Sequence, residues 1–435
     1  MAKYADAVDF LESLPVKIQY TLQPTRDLCA LLGVDPADLP CMLVTGTNGK
    51  GSVCAFCESA IRAAGYKTGL FISPHLVSYN ERIAINGKEI SQEEFGSIIL
   101  SARSIIEKYN SSHEEAISEF EAITACAIKL FLDENVDFAV MEIGMGGRLD
   151  STNVLEPEVS VITKVALDHM HALGTTVEDI AAEKAGIIRL GKPVVTGCTG
   201  GALEVVKAAS EKSRSKLVIV GTGSDSDVSF SETSVSFEGT VSTVRTSGKS
   251  KVLKSSNLFG AHQCFNMAVA YAALEQLGKS GLLSLPVEKI TQGFDETSWP
   301  GRFEIVSRNP LVIIDGGHNP DAGRALAAAI DTLLPKKRIA IVCAMMKDKD
   351  IDGFLSSVAS RASVAFATSL PLERAAKAGD LAAIAGKYCK NVAIIEESKT
   401  AFESALAAAK SGKVDVVLVC GSLYLVGDLK ARAGL

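Results

Sequence analysis

The stretch Met42-Leu43-Val44-Thr45-Gly46-Thr47-Asn48-Gly49-Lys50-Gly51-Ser52 decides the fold. An apolar run ends in a glycine-rich turn, and helical spacing follows at Val53, Phe56, Ala60 and Ile61. The order is strand, tight loop, helix. Glycines let such a loop turn without Cβ clashes, and its backbone N–H groups can converge on phosphate oxygens at the helix N-terminus. Lys50 adds a mobile positive charge, and Ser52 a hydroxyl able to reach a phosphate or Mg²⁺. The strict G-x-x-x-x-G-K-[ST] pattern is not met, because Val44 holds its first glycine position and Gly51 follows the lysine. The loop is a shortened variant; the alternative is a glycine-rich surface turn that happens to contain a lysine.

The 435 residues suggest two or three domains. With 47% hydrophobic and 22% charged residues, the chain can bury a sizeable core. A net charge of −7 argues against a general nucleic-acid or anionic-membrane surface, though not against a local phosphate site. The amino terminus lacks the apolar core of a signal peptide, and no uncharged apolar run reaches the ~18 residues that span a bilayer. A soluble cytoplasmic protein without nucleic-acid or membrane partners is expected. The ten cysteines lie scattered in apolar patterns, as reduced thiols used as small hydrophobes do. Cys54-Ala-Phe-Cys57 has no second pair to complete a zinc site, which favours a structural role.

Ionisable residues recur just after apolar runs. The strand at 66–72 leads into Ser73-Pro74-His75 and Asn80-Glu81-Arg82, either a ligand loop or a solvated one. The strand at 137–143 carries one carboxylate, Glu142, which needs a cation or donors if buried. Gly144-Met145-Gly146-Gly147-Arg148-Leu149 follows, and it fails the dinucleotide fingerprint because Leu149 takes the last glycine position. The strand at 158–165 ends near Asp168 and His169, a candidate Mg²⁺ or water ligand or a satisfied structural histidine. Lys184 sits among Ile180, Ala181, Ala185, Ile187 and Ile188. A partly buried lysine has a lowered pKa, and its neutral amine can pair with acids or react with CO₂ to form a carbamate.

Residues 222–256 are rich in Ser and Thr with period-two alternation, which predicts small antiparallel strands. His262 and Asn266 share one face of the helix that follows, where they grip a base or cap the helix. Trp299-Pro300-Gly301-Arg302-Phe303 reads as a hinge, and strands alternate with helices beyond it. The first of these strands ends in Asp315-Gly316-Gly317-His318-Asn319-Pro320. The expected fold is α/β: a phosphate-loop ATPase domain over 1–297 with a small added β-sheet at about 222–256, then a smaller Rossmann-like α/β domain over 298–435.

The combination resembles the Mur ligase superfamily, and within it the folylpolyglutamate synthase/dihydrofolate synthase family. The resemblance is carried, in family order, by Gly46–Ser52, Ser73–Leu76 with Asn80–Arg82, Glu142–Asp150 with Thr152-Asn153, and Leu167–His169. Glu183–Ile187, Pro300–Arg302, Asp315–Pro320, Met346–Asp350 and Gly421–Gly427 complete it. It implies an ATP-dependent amide ligase: a substrate carboxylate takes the γ-phosphate to become an acyl phosphate, and the amine of L-glutamate displaces phosphate. It implies nucleotide contacts from Thr47, Asn48, Gly49, Lys50, Gly51, Ser52, Asn266, Arg302 and Asp315. Mg²⁺, at two sites, is implied at Ser73, Glu142 and His169, and a carbamylated lysine at Lys184. Lys50, Lys184 and His318 are the implied catalytic residues. Phe120, Glu121, Leu149, Asp150 and Ser151, with the segment Tyr20–Leu22, are implied for the pterin-bearing substrate, folate or dihydropteroate. A monomer is expected. The alternatives are another amino-acid ligase of the superfamily, for which the roughly forty residues before the loop are too few to form the usual extra domain, and a nucleotide-dependent regulatory switch.

Overall fold

Cys41–Thr45, five consecutive buried residues, form β1 near the middle of a large sheet. The computed structural model describes residues 2–15 and 21–434. After β1 come β2 (Thr68–Phe71), β3 (Ile83–Ile85), β4 (Lys88–Glu89), β5 (Phe138–Glu142), β6 (Val159–Ile162), β7 (Val194–Thr196) and β8 (Leu217–Gly221). β9 (Val228–Ser236), β10 (Gly239–Thr246) and β11 (Lys249–Ser255) follow. The spatial order is β11-β10-β9-β8-β7-β6-β1-β5-β2-β3-β4. β1 pairs in parallel with β5 on one side and β6 on the other, and β5 pairs in parallel with β2. β3 and β4 close that edge in antiparallel pairing. Parallel strands covered on both faces are near-continuous apolar runs, which is why β1, β5 and β6 stand out in the sequence.

The alternating residues of 222–256 do form strands, joined by two-residue turns. The second turn, Ser247-Gly248, has φ of 47° and 76°, as tight hairpins require. These strands extend the large sheet rather than standing apart from it, because β8 and β9 pair in parallel at Val220↔Val228 and Gly221↔Ser229.

The chain divides into two compact units. The first is 1–231, 244–253 and 265–296; the second is 232–243, 254–264 and 297–435. The chain thus passes between units within 232–264 as well as at the 296/297 junction. In the second unit a six-stranded sheet holds β12 (Glu304–Arg308), β13 (Leu311–Ile314), β14 (Ile339–Cys343), β15 (Val364–Ser369), β16 (Val392–Glu397) and β17 (Val416–Cys420). Its order is β12-β13-β17-β14-β15-β16; β12 is antiparallel and the others are parallel. Among the described residues no helix is long and apolar enough to cross a membrane.

The helix Glu119–Asp133 illustrates how the first unit's core is set. Ser118 caps it, accepting from Glu121 N while Glu121 accepts from Ser118 N, so reciprocal bonds satisfy the opening turn. Phe131 on this helix is fully buried, and its ring lies against Gly69 of β2. Phe131→Ala should lower the stability of this unit by about 3–5 kcal/mol, the usual cost of truncating a buried Phe. Urea unfolding checks this as a lower midpoint with unchanged slope.

Candidate active site

The neighbours β2, β5, β1 and β6 point their carboxyl ends the same way, and each end carries a segment singled out in the sequence. These are Ser73 after β2, Glu142 and the Gly144–Asp150 loop at β5, Gly46–Ser52 after β1, and 163–169 after β6. Val44 of β1 lies level with Glu142, and Thr45 with Ile162. Ligands of open α/β sheets bind outside this edge.

The turn after β1 leads directly into the helix Lys50–Ala63. Its glycines are obligatory at two places. A Cβ on Gly46 would stand 1.8 Å from Thr163 Oγ1, and one on Gly49, whose φ is +88°, would stand 2.5 Å from Asn266 Oδ1. The second approach places Asn266, on the helix Ala261–Lys279, beside the loop. The segment after β6 straps the loop from the other side. Thr47 N donates to Lys164 O at 2.7 Å, and Thr163 Oγ1 donates to Asn48 O at 2.8 Å. Thr47 Oγ1 donates to Ala166 O and accepts from Ala166 N, both at 3.0 Å.

Two lysines meet at one oxygen. Lys50 Nζ donates to Gly46 O at 3.2 Å and Lys184 Nζ donates to the same oxygen at 3.0 Å. Lys184 is 4% exposed. Burial above all, and then the charge of Lys50, push its pKa down to about 7. Its helix, Val177–Ala185, is anchored by a Thr176–Asp179 capping box. Arg148 of the glycine-rich loop holds the far end, with Nη2 on Glu183 Oε1 at 2.7 Å and its backbone N–H on Glu183 O at 2.8 Å.

Glu142 is buried, and Ser73 N lies 3.5 Å from its Oε2. His169, with φ of 49°, opens the short helix Met170–Leu173, and its N–H donates to Asp168 Oδ1 at 2.9 Å. Among the described residues no three His, Cys, Asp or Glu side chains cluster as a metal site. Ser73, Glu142 and His169, the Mg²⁺ ligands that the resemblance implies, offer one hydroxyl, one carboxylate and one imidazole. That donor set fits Mg²⁺, which keeps several waters and takes few protein ligands, better than it fits zinc.

The residues expected at the pterin-bearing substrate divide into two kinds. Phe120 and Leu149 are partly exposed, and the Phe120 ring packs 5.9 Å from Phe71. Glu121, Asp150 and Ser151 are buried, and the first two carboxylates brace local structure. Glu121 Oε2 accepts from Ser118 N and Oγ. Asp150 accepts from Met145 N, Thr152 N and Thr152 Oγ1, and caps the turn Ser151–Val154. Burial raises its pKa while those donors oppose the shift. Tyr20 lies outside the described residues.

Arg82, in the loop read from the sequence as ligand-binding or solvated but given no role there, is buried. Its Nε donates to His75 Nδ1 at 2.9 Å, and its Nη2 lies 3.5 Å from Glu119 Oε1. A guanidinium only donates, so the hydrogen of the neutral His75 ring sits on Nε2. Burial and Arg82 hold the His75 pKa at about 4. The available signal was the spacing of two polar runs, Ser73–His75 and Asn80–Arg82, flanking one loop.

In the second unit Asp315 follows β13 and is also spent on backbone. Its Oδ2 accepts from Phe303 N at 2.9 Å and its Oδ1 from Gly317 N at 2.8 Å. Arg302 Nη1 donates to Gly301 O at 3.3 Å. His318 Nδ1 lies 3.0 Å from Gly316 O, and because a carbonyl only accepts, Nδ1 carries the hydrogen.

Comparison with known proteins places the chain in a family. A family model described as the Mur ligase middle domain matches residues 44–274, and one described as Mur ligase, glutamate ligase domain, matches 301–423. The chain belongs to the Mur ligase family. This Mur ligase is 34% identical over 432 residues to the dihydrofolate synthase/folylpolyglutamate synthase of Bacillus subtilis, covering 99% of each chain. A Mycobacterium tuberculosis folylpolyglutamate synthase complexed with ADP aligns with a TM-score of 0.91 at 30% identity, over 100% of this chain and 99% of that one. Escherichia coli FolC in complex with DHPP and ADP aligns with a TM-score of 0.86 at 32% identity, over 99% and 97%. The Mur ligase described here is thus an ATP-dependent ligase. Gly49→Ala should abolish its nucleotide binding while far-UV circular dichroism stays unchanged, because the added methyl meets both a left-handed φ and the Asn266 side chain.

Proposed function

We propose that this Mur ligase adds L-glutamate to folates as a folylpolyglutamate synthase, and to dihydropteroate as a dihydrofolate synthase, acting as a cytoplasmic monomer. The observation that carries the reading is the shared edge of β2, β5, β1 and β6, where two lysines meet at the Gly46 carbonyl of a phosphate-type loop and a buried carboxylate ends the neighbouring strand. Residues 1–297 are assigned to nucleotide and pterin compound, and 298–435 to completing the ligase chemistry through Arg302, Asp315 and His318. Asn48, Gly49, Lys50, Gly51 and Ser52 cradle the phosphates, and Asn266 flanks the nucleotide. Phe120 and Leu149 offer apolar surface to the pterin, with Glu121, Asp150 and Ser151 fixing the backbone behind them.

Phosphoryl transfer is mostly positioning and charge neutralisation. In the first step the substrate carboxylate attacks the γ-phosphorus, the bond to ADP breaks, and an acyl phosphate forms. In the second the glutamate amine attacks the acyl carbon, phosphate leaves, and the amine proton passes to solvent or a base. Lys50 is the cation on the transferring group. Ser73, Glu142 and His169 would hold Mg²⁺, which supplies further charge neutralisation when bound. Lys184 is the group best poised to change sign. Its neutral amine and CO₂ give a carbamate and a proton, turning a buried cation into an anion able to anchor a second Mg²⁺.

Lys184→Ala should reduce turnover by at least about 10²-fold, the scale for losing a charge-stabilising group, and added bicarbonate should not rescue it. Unchanged turnover would remove the carbamate from the scheme. The pH dependence follows from the lowered pKa of about 7. Turnover should fall on the acid side of that value, where the amine is protonated and cannot take up CO₂. Unfolded chains keep this proton up to about pH 10.4. The group's destabilising effect is therefore largest below pH 7 and shrinks as pH rises through that window. The function itself is tested by product analysis with dihydropteroate and tetrahydrofolate offered separately, each with ATP and glutamate. Glutamylated product and ADP in equal amounts are expected. ADP formation indifferent to both acid and glutamate would indicate a switch protein instead.

A further inference from the structure

The resemblance places Thr47 among the nucleotide ligands, yet both of its donors are already committed. Its backbone N–H goes to Lys164 O at 2.7 Å, and its hydroxyl hydrogen goes to Ala166 O at 3.0 Å. The hydroxyl oxygen also accepts Ala166 N–H at 3.0 Å. A phosphate oxygen is an acceptor, and Thr47 has no hydrogen left to offer it. Its partners all belong to the segment after β6, which reaches His169 three residues beyond Ala166. A bridge pairs Asn48 with Lys164, and Thr163 Oγ1 holds Asn48 O, so the same segment is pinned along the loop's first half.

We propose that Thr47 is a positioning residue rather than a phosphate ligand: its hydroxyl locks Ala166, and through it the His169 turn, to the phosphate loop, fixing where a Mg²⁺ ligand stands relative to the bound phosphates. The argument rests on the nucleotide and Mg²⁺ reading above. Groups that orient metal ligands from behind matter through metal affinity, commonly by about 10–100-fold, while the ligand's own contacts survive their loss. Thr47→Val keeps the shape and removes the hydroxyl; Thr47→Ser keeps the hydroxyl and removes a methyl.

The test is equilibrium binding of ADP by calorimetry, with EDTA and then across a Mg²⁺ titration, on wild type, Thr47→Val and Thr47→Ser. Thr47→Val should bind ADP in EDTA within about twofold of wild type and need about tenfold or more extra Mg²⁺ to reach its tight-binding state. Thr47→Ser should restore the wild-type Mg²⁺ requirement. Equal weakening of ADP binding with and without Mg²⁺ would make Thr47 a direct ligand, and an unchanged Mg²⁺ requirement would leave it no positioning role; either overturns the proposal. If Thr47→Val fails to fold by circular dichroism, Thr47→Ala is read by the same two criteria. A wild-type chain that binds no ADP would instead overturn the nucleotide reading, and the proposal with it.

Discussion

One carbonyl oxygen, that of Gly46, receives hydrogen bonds from two lysines. Two like charges at one point of a buried edge repel and lose hydration, and the chain meets that cost only in part, by holding Lys184 near neutrality. Anionic phosphate groups would supply the missing counter-charge. The geometry that creates this strain is local: the turn after β1 brings Lys50 back over its own loop, and Val177–Ala185 brings Lys184 in from the side.

The remaining features hold that point in place. Parallel pairing of β1 with β5 and β6 sets Glu142 level with Val44 and Ile162 level with Thr45, just before the loop. Hydrogen bonds from Thr45, Thr47 and Thr163 then tie the loop to both neighbours, Thr45 Oγ1 reaching Gly146 O at 2.6 Å. Asp150 and Arg148 shape the glycine-rich loop against the lysine-bearing helix. Asp150 and Arg148 thus brace backbone and helix, while Lys50 and Lys184 converge on the Gly46 carbonyl.

The sequence made the strands legible because buried parallel strands are apolar throughout, and it made the loop legible because only glycine tolerates its approaches to Thr163 and Asn266. It also exposed Lys184, since a lysine inside an apolar helical pattern is conspicuous. It could not show that Asp150 and Asp315 accept backbone N–H groups, or that Glu121 caps its own helix, because an acidic residue in a motif looks the same whether it binds a ligand or caps a turn. It read residues 163–165 as the end of a strand, whereas β6 stops at Ile162, and Thr163 and Lys164 brace the loop. Nor could alternation alone reveal that the strands at 228–255 continue the large sheet, because pairing with β8 depends on a partner in space.

The most direct test of the central claim, that this edge transfers the γ-phosphoryl group to an acid, is isotope transfer. A folate whose reacting carboxylate carries oxygen-18 is turned over with ATP and glutamate, and the released phosphate is analysed by mass. One labelled oxygen is expected in each phosphate, delivered when the acyl phosphate is cleaved by the amine. Unlabelled phosphate accompanying glutamylated product would contradict it.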